Sequence, residues 1–391
     1  MKLHIIANWM QGSALSGGDR IFIELAKRLS PEFEINLYLS KEGWQICRRE
    51  DLANFKHAIW ANDVFVKFGY FVDYFYSTVN SIINSFRIKL DKNDVIYSSS
   101  DFLPDALPAF VLKLRFGVKW IAGFYLFAPA PWDKSSPYKG KRSLIGFFYW
   151  LAQLPVYLIV KKFADMVFVT SQPDVRKFIT RNRPANKIMV IQGGVDLKPA
   201  EEYFKNNALV PVAGRKFDSC FVGRFHYQKG VLELISIWKI VCMKMPDAKL
   251  VLIGVGPLEA QIKEKIKLLG LGNNIHLAGF LNGESKYEVF KQSKIVVHPA
   301  TYDSGGMAAA EAFAWKLPGV SFDLEALRTY YPKGMLKAKC FDLQDFATLI
   351  LDLLIDDELY QKTSLDAYYL VNEVWNWDKR AVMIKEELSK L

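Results

Sequence analysis

Leu3–Ala7 is a short apolar run, followed by a Gly/Ser-rich segment that ends in Gly17-Gly18. After it, Ile21–Leu29 (IFIELAKRL) places its apolar residues at helical spacing. Strand, glycine turn and helix in that order open a βαβ unit. Similar apolar runs recur at Glu34–Ser40, Asp94–Ser100, Val118–Leu126, Asp165–Ser171 and Lys187–Gly194, with helical stretches between them. They are nearly continuous rather than alternating, which is the pattern of parallel strands covered on both faces. The segment Val195–Lys216 then reads as a linker and one hinge. A second series follows, with predicted strands at Ser219–Arg224, Ala248–Gly256, Asn274–Phe280, Lys294–Ala300 and Gly319–Asp323. Its helices include Val231–Met245 and Glu259–Gly270, the latter stopped by its glycine. From about Trp375 an amphipathic helix could cross back onto the first domain.

The pattern therefore predicts an α/β protein of two Rossmann-like, doubly wound domains facing each other across a deep cleft, with ligands at the carboxyl ends of the strands. The expected division is 1–195, plus the closing helix at about 375–391, and 196–374. A length of 391 residues agrees with two cores rather than one.

Ser143–Val160 departs from this plan. It is eighteen residues without a charge, bracketed by Lys139, Lys141 and Arg142 on one side and Lys161 and Lys162 on the other. Its length suits a membrane span, but Pro155 and the strand that follows argue against one. A buried helix is the leading expectation, with an interfacial helix next.

Charge adds a second asymmetry. Residues 1–195 carry 26 Lys+Arg against 16 Asp+Glu, whereas the remainder carries 25 of each, so the net charge of +10 lies wholly in the first half. A basic half favours an anionic partner such as a membrane surface or a phosphorylated acceptor. Nucleic acid is not expected, because the cations form no stripe on a recognisable module. Cys47, Cys220, Cys242 and Cys340 lie far apart with no close Cys or His pairs, which suits reduced thiols in a cytoplasmic protein and no metal site. The first ten residues are too short an apolar stretch for a signal peptide and read as a strand.

Three places carry candidate chemistry. Gly17 and Gly18 stand by a helix N-terminus, where backbone N–H groups can approach an anion. In Val222–Gly230 (VGRFHYQKG) a strand ends at Arg224, and Lys229 and Gly230 follow at the next helix. A planar guanidinium and a point-charge ammonium at that edge suit a diphosphate. In His298–Gly319 an acid, Asp303, precedes Ser304, Gly305 and Gly306, then Met307 and a helix carrying Glu311. Free helix amides and Asp303 can hold sugar hydroxyls, and Glu311, about two turns inward, suits a ribose diol.

Together these motifs resemble the retaining glycosyltransferases of the GT4 family, which have the GT-B fold. The family's glycine-rich first loop corresponds to Gly17-Gly18, and its diphosphate motif to Arg224 with Lys229-Gly230. Its GxGP turn corresponds to Gly254-Val255-Gly256-Pro257, and its paired acids to Asp303 and Glu311. The resemblance implies that Arg224 and Lys229 hold the donor diphosphate of a UDP- or GDP-linked sugar and that Glu311 holds the ribose. Asp303 and the amides near Gly305, Gly306 and Met307 would then hold the sugar. It further implies metal-independent transfer with no cofactor beyond the donor, while the basic first half, its aromatic residues and the Ser143–Val160 segment lead to the expectation of a glycan or lipid-linked acceptor on the inner face of the membrane. The chain departs from the family in using Asp at position 303 instead of the commoner Glu. Leu126 also stands where many relatives carry a histidine, so no catalytic base is assigned in the first domain. A donor-binding homologue without turnover and a sugar-nucleotide epimerase are the alternatives.

Overall fold

The computed structural model describes residues 1–391 except 11–14, 134, 135, 137, 139, 304, 305 and 391. It divides into two compact units, Met1–Gly193 with Trp377–Leu391, and Gly194–Asn376. In the first unit seven strands run parallel: β1 (Lys2–Ala7), β2 (Glu34–Ser40), β3 (Lys56–Ala61), β4 (Val95–Ser98), β5 (Lys119–Gly123), β6 (Met166–Val169) and β7 (Ile188–Val190). Their order is β3-β2-β1-β4-β5-β6-β7, which reverses between β1 and β4 as a doubly wound sheet must. The sequence pattern missed β3, an edge strand whose Lys56, His57 and Ile59 face water. An edge strand buries too little to need a continuous apolar run.

The second unit holds six parallel strands, β8 (Phe217–Val222), β9 (Leu250–Ile253), β10 (Ile275–Gly279), β11 (Ser293–His298), β12 (Gly319–Phe322) and β13 (Met335–Ala338), in the order β10-β9-β8-β11-β12-β13. Alternate residues of one strand feed two cores. Ile295 and Val297 join Trp238 and Phe346 on one face, and Val296 joins Trp315 and Trp375 on the other. That two-sided burial is why the strands read as continuous apolar runs. The four-residue edge strand β13, which contains Lys337, escaped the pattern.

Two other expectations change. The predicted linker contains the helix Lys198–Asn206, which buries Ala200 and sets Tyr203 and Phe204 against Trp315. Polar outward positions had disguised its apolar side. Ser143–Phe163 is one helix that runs through Pro155, and it is not a buried one. Only Gly146, Gln153, Val156 and Val160 are buried, whereas Leu144, Ile145, Phe148, Leu151, Leu154 and Leu158 are exposed. A helix that is apolar all round conceals no polar side, so its composition could not reveal that only one stripe meets the protein.

The closing helix Trp377–Leu388 belongs to the first unit. Ile384 and Leu388 line a small cavity with Leu3, Ile5, Leu25, Leu29, Tyr97 and Phe168, and Asp378 pairs with Arg28 at 2.6 Å.

Candidate functional site

The second unit gathers its candidate residues at the carboxyl ends of β8, β9 and β11. Beyond β8 the chain turns at Gly223-Arg224-Phe225 and interlocks with the turn that follows β9. The Phe225 N–H donates to Val255 O at 2.9 Å. A Cβ on Gly254 would lie 1.9 Å from Gly223 O, and one on Gly256 would lie 2.5 Å from Phe225 O. The GxGP glycines are thus accounted for by close backbone approach. Arg224, at the tip of this turn, is exposed and makes no ion pair among the described residues.

A short 3-10 turn, Tyr227–Lys229, docks on the loop after β11. Gln228 O accepts from Thr301 N at 3.0 Å, and Gly230 has φ +62° with its Cα against Pro299. This docking carries Lys229 to Asp303, where Nζ and Oδ2 are 2.6 Å apart. His298, the last residue of β11, reaches the same Oδ2 from the other side at 3.1 Å. Burial works against the charge on Asp303, but Lys229 and the hydrogen bond from His298 outweigh it and hold the carboxyl well below the usual carboxylate range. Burial pushes His298 the opposite way from its carboxylate partner and wins, so its pKa is lowered. A neutral imidazole whose Nε2–H donates to Asp303 is consistent with both shifts.

Gly306 has φ +143°, a conformation that an L side chain rarely adopts, and a Cβ there would lie 2.8 Å from His298 Nε2. Its carbonyl accepts the Tyr331 hydroxyl hydrogen bond. Met307 then starts the helix Met307–Phe313. Ser304 and Gly305, both expected to bind donor, lie outside the described residues. Glu311 accepts from Lys286 Nζ at 2.6 Å and is about one-third exposed.

Lys229 and Asp303 are therefore in contact, although the sequence assigned one to a diphosphate and the other to a sugar. His298, Lys286 and Tyr331 had no assigned role. His298 lay inside the motif, but nothing local marked its imidazole as a partner. Lys286 lies on the helix Glu284–Lys291 and Tyr331 just after the helix Glu325–Tyr330, and only tertiary packing brings them in. Next to them Lys337 on β13 donates to Ser321 Oγ at 3.2 Å, and burial pushes its ammonium down to about 7 despite attraction from Asp323.

In the first unit Gly18 is closely packed. Ser16, not a glycine, caps the helix Gly17–Leu29 by accepting from Asp19 N, and Gly17 and Gly18 form its first turn. A Cβ on Gly18 would lie 2.9 Å from the Tyr125 ring. At Leu126 it is the backbone that is engaged, its carbonyl accepting from Gln153 Nε2 at 2.7 Å.

Comparison with known proteins bears on the family and the fold. Residues 205–368 match the family model of glycosyl transferases group 1. Two uncharacterized glycosyltransferases of Methanocaldococcus jannaschii are similar in sequence. One is 30% identical over 145 residues, 36% of this chain and 37% of its own length. The other is 27% identical over 249 residues, 62% of this chain and 57% of its own length. The chain thus spans about a third to a little over half of these relatives. The crystal structure of Anabaena HepE in complex with UDP and glucose has the same fold over the full length of both chains, with a TM-score of 0.70 at 16% identity.

Proposed function

From a chain that carries a group 1 glycosyltransferase domain within a GT-B fold, we propose that it transfers a sugar from a nucleotide diphosphate sugar to a glycan or lipid-linked acceptor, retaining the anomeric configuration and using no metal. The observation that carries the reading is the convergence of Arg224, Lys229 and Asp303 on one sheet edge of that domain. Asp303 holds Lys229 at 2.6 Å in the ligand-free chain. The donor's diphosphate competes for that ammonium, and the released carboxylate then accepts hydrogen bonds from sugar hydroxyls. As the sugar C1–O bond breaks, Arg224 and Lys229 stabilise the charge building on the departing diphosphate. Its oxygen takes the proton of the acceptor hydroxyl, whose oxygen bonds C1 on the same face, so no side-chain base is required at Leu126. UDP is the first donor base to try, because the fold relative HepE binds it. The expected location is cytoplasmic, on the inner face of a membrane.

The test is a thermal shift with UDP, GDP, ADP and their sugar conjugates in the presence of EDTA. At a hundred times its dissociation constant the correct nucleotide adds about 2.7 kcal/mol of stability, and Lys229→Ala abolishes the shift. The same shift in the variant rules out the phosphate role of Lys229. Asp303→Asn keeps nucleotide binding while transfer falls by about a hundredfold or more, and unchanged turnover removes Asp303 from the reaction. An inverted product rules out the same-face mechanism. A second reading, donor binding without turnover, draws on the fact that Asp303 and Glu311 each already hold a lysine. It predicts binding with no product from any acceptor.

A further inference from the structure

In the first unit the helix Tyr70–Ser85 has its polarity reversed relative to a helix that sits in water. Its buried residues are Asp73, Ser77, Thr78, Ser81 and Ser85, which form the stripe turned toward the protein. The residues it turns outward are aromatic and aliphatic, with Phe75 72% exposed and Ile83 50% exposed. A helix on a water-facing surface shows the opposite arrangement. Small residues at the helix interface and large apolar residues outside are what packing looks like when the surrounding medium is as apolar as the side chains. Three of the inward hydroxyls bond within the helix itself: Ser81 and Ser85 donate to the carbonyls of Ser77 and Ile82, and Thr78 donates to that of Tyr74.

A second helix continues this surface. In Ser143–Phe163, nine of the eighteen uncharged residues 143–160 are exposed and only four are buried. The Phe71 and Phe148 rings lie 5.1 Å apart and join the two outward faces into one patch. An exposed apolar surface of this kind marks an interaction site. Cations flank it: Arg142 precedes the longer helix, Lys161 and Lys162 close it, and Arg87 and Lys89 follow the other helix. A second copy of the chain would set like charge against like around the rim. An anionic lipid leaflet matches both the apolar face and the basic border.

We propose that the outward faces of Tyr70–Ser85 and Ser143–Phe163 together form a membrane-docking surface that lies in the plane of an anionic leaflet. The longer helix does not span the bilayer, because its inward side is tied to the unit. Gln153 donates to Asp101 Oδ2 at 2.6 Å and to Leu126 O at 2.7 Å, and accepts from Ala128 N at 2.7 Å. Crossing the bilayer would strip all three bonds from buried groups. The assignment gives the membrane part of the proposed function a place in the fold, and it does not depend on the donor chemistry.

The full chain is floated with vesicles of equal parts phosphatidylglycerol and phosphatidylcholine, and with phosphatidylcholine alone, at low and high salt. The expected result is binding to the anionic vesicles, weakened by salt, and released by alkaline carbonate. Phe75→Glu with Leu151→Glu, two exposed positions, lowers the partition constant at least tenfold while leaving the circular dichroism melt unchanged. Absence of binding to anionic vesicles at low salt overturns the proposal, as does resistance to carbonate extraction. A lipid-free dimer that the double variant dissociates overturns it in favour of a self-association face. In each case a UDP-induced thermal shift reports separately on the donor site, so failure of one reading is distinguishable from failure of the other.

Discussion

Single residues show how local geometry constrains both units. Gly230 has φ +62°, and a Cβ there would stand 1.8 Å from Pro299 O. Gly230→Ala is therefore expected to destabilise the second unit by more than about 2 kcal/mol, since it meets both strain and a backbone clash. Urea unfolding checks this, and an unchanged midpoint would show that the loop after β11 relaxes freely. In the first unit burial pushes Asp105 up to about 7, even though Ser100 and the Asn8 and Trp9 N–H groups donate to it. Its unfolded value is near 3.9, so the folded state holds the extra proton between about pH 4 and 7. The stability that goes with that proton is complete below about pH 4 and is lost as pH rises toward 7. Asp101, raised by burial to about 6, acts in the same direction. Asp105→Asn should flatten the fall of melting temperature across this range. An undiminished slope would assign the effect to other groups.

Among elements, the helix Ser143–Phe163 shows most clearly what periodicity conveys and what it omits. Its existence was legible from eighteen uncharged residues, but its exposure was not, because a uniformly apolar helix carries no marker of which side is covered. Gln153 is the one polar side chain buried on its inward stripe, and it serves three partners. Gln153→Leu leaves the Asp101 carboxylate and the Ala128 N–H short of partners, at a cost of about 1–3 kcal/mol for each buried group. Chemical denaturation of the first unit measures it, and a loss under about 0.5 kcal/mol, the range of a neutral surface change, would mean that water replaces the amide. The helix Tyr70–Ser85 went unremarked in the sequence. Its serine stripe reads as ordinary polar surface until packing shows that it faces inward.

At the scale of the whole molecule, the chain leaves the first unit at Gly193 and returns to it at Trp377. Ile384 and Leu388 complete an apolar cluster with residues of β1, β4 and β6 and of the helix Gly17–Leu29. Ending the chain at Asn376 is expected to cost the first unit about 3 kcal/mol or more, since two large buried side chains are lost together. Calorimetry should show one transition lowered, while nucleotide still stabilises the other. Loss of the nucleotide response in the truncated chain would refute the assignment of the donor site to the second unit alone.

By itself the sequence determined the α/β class, eleven of the strands, the group of motifs at 222–230 and 298–319, and the basic first half. Those features are written in local periodicity, in glycine and charged residues at fixed spacing, and in composition. Tertiary structure decided the rest. It made edge strands of β3 and β13, whose exposure erases the apolar signal. It set Lys229, His298 and Asp303 within hydrogen-bonding distance, and it paired Glu311 with a lysine 25 positions away. It also turned one helix inside out. Each of these depends on which neighbour covers a side chain, and that is settled by packing between segments far apart in the chain rather than by any local pattern.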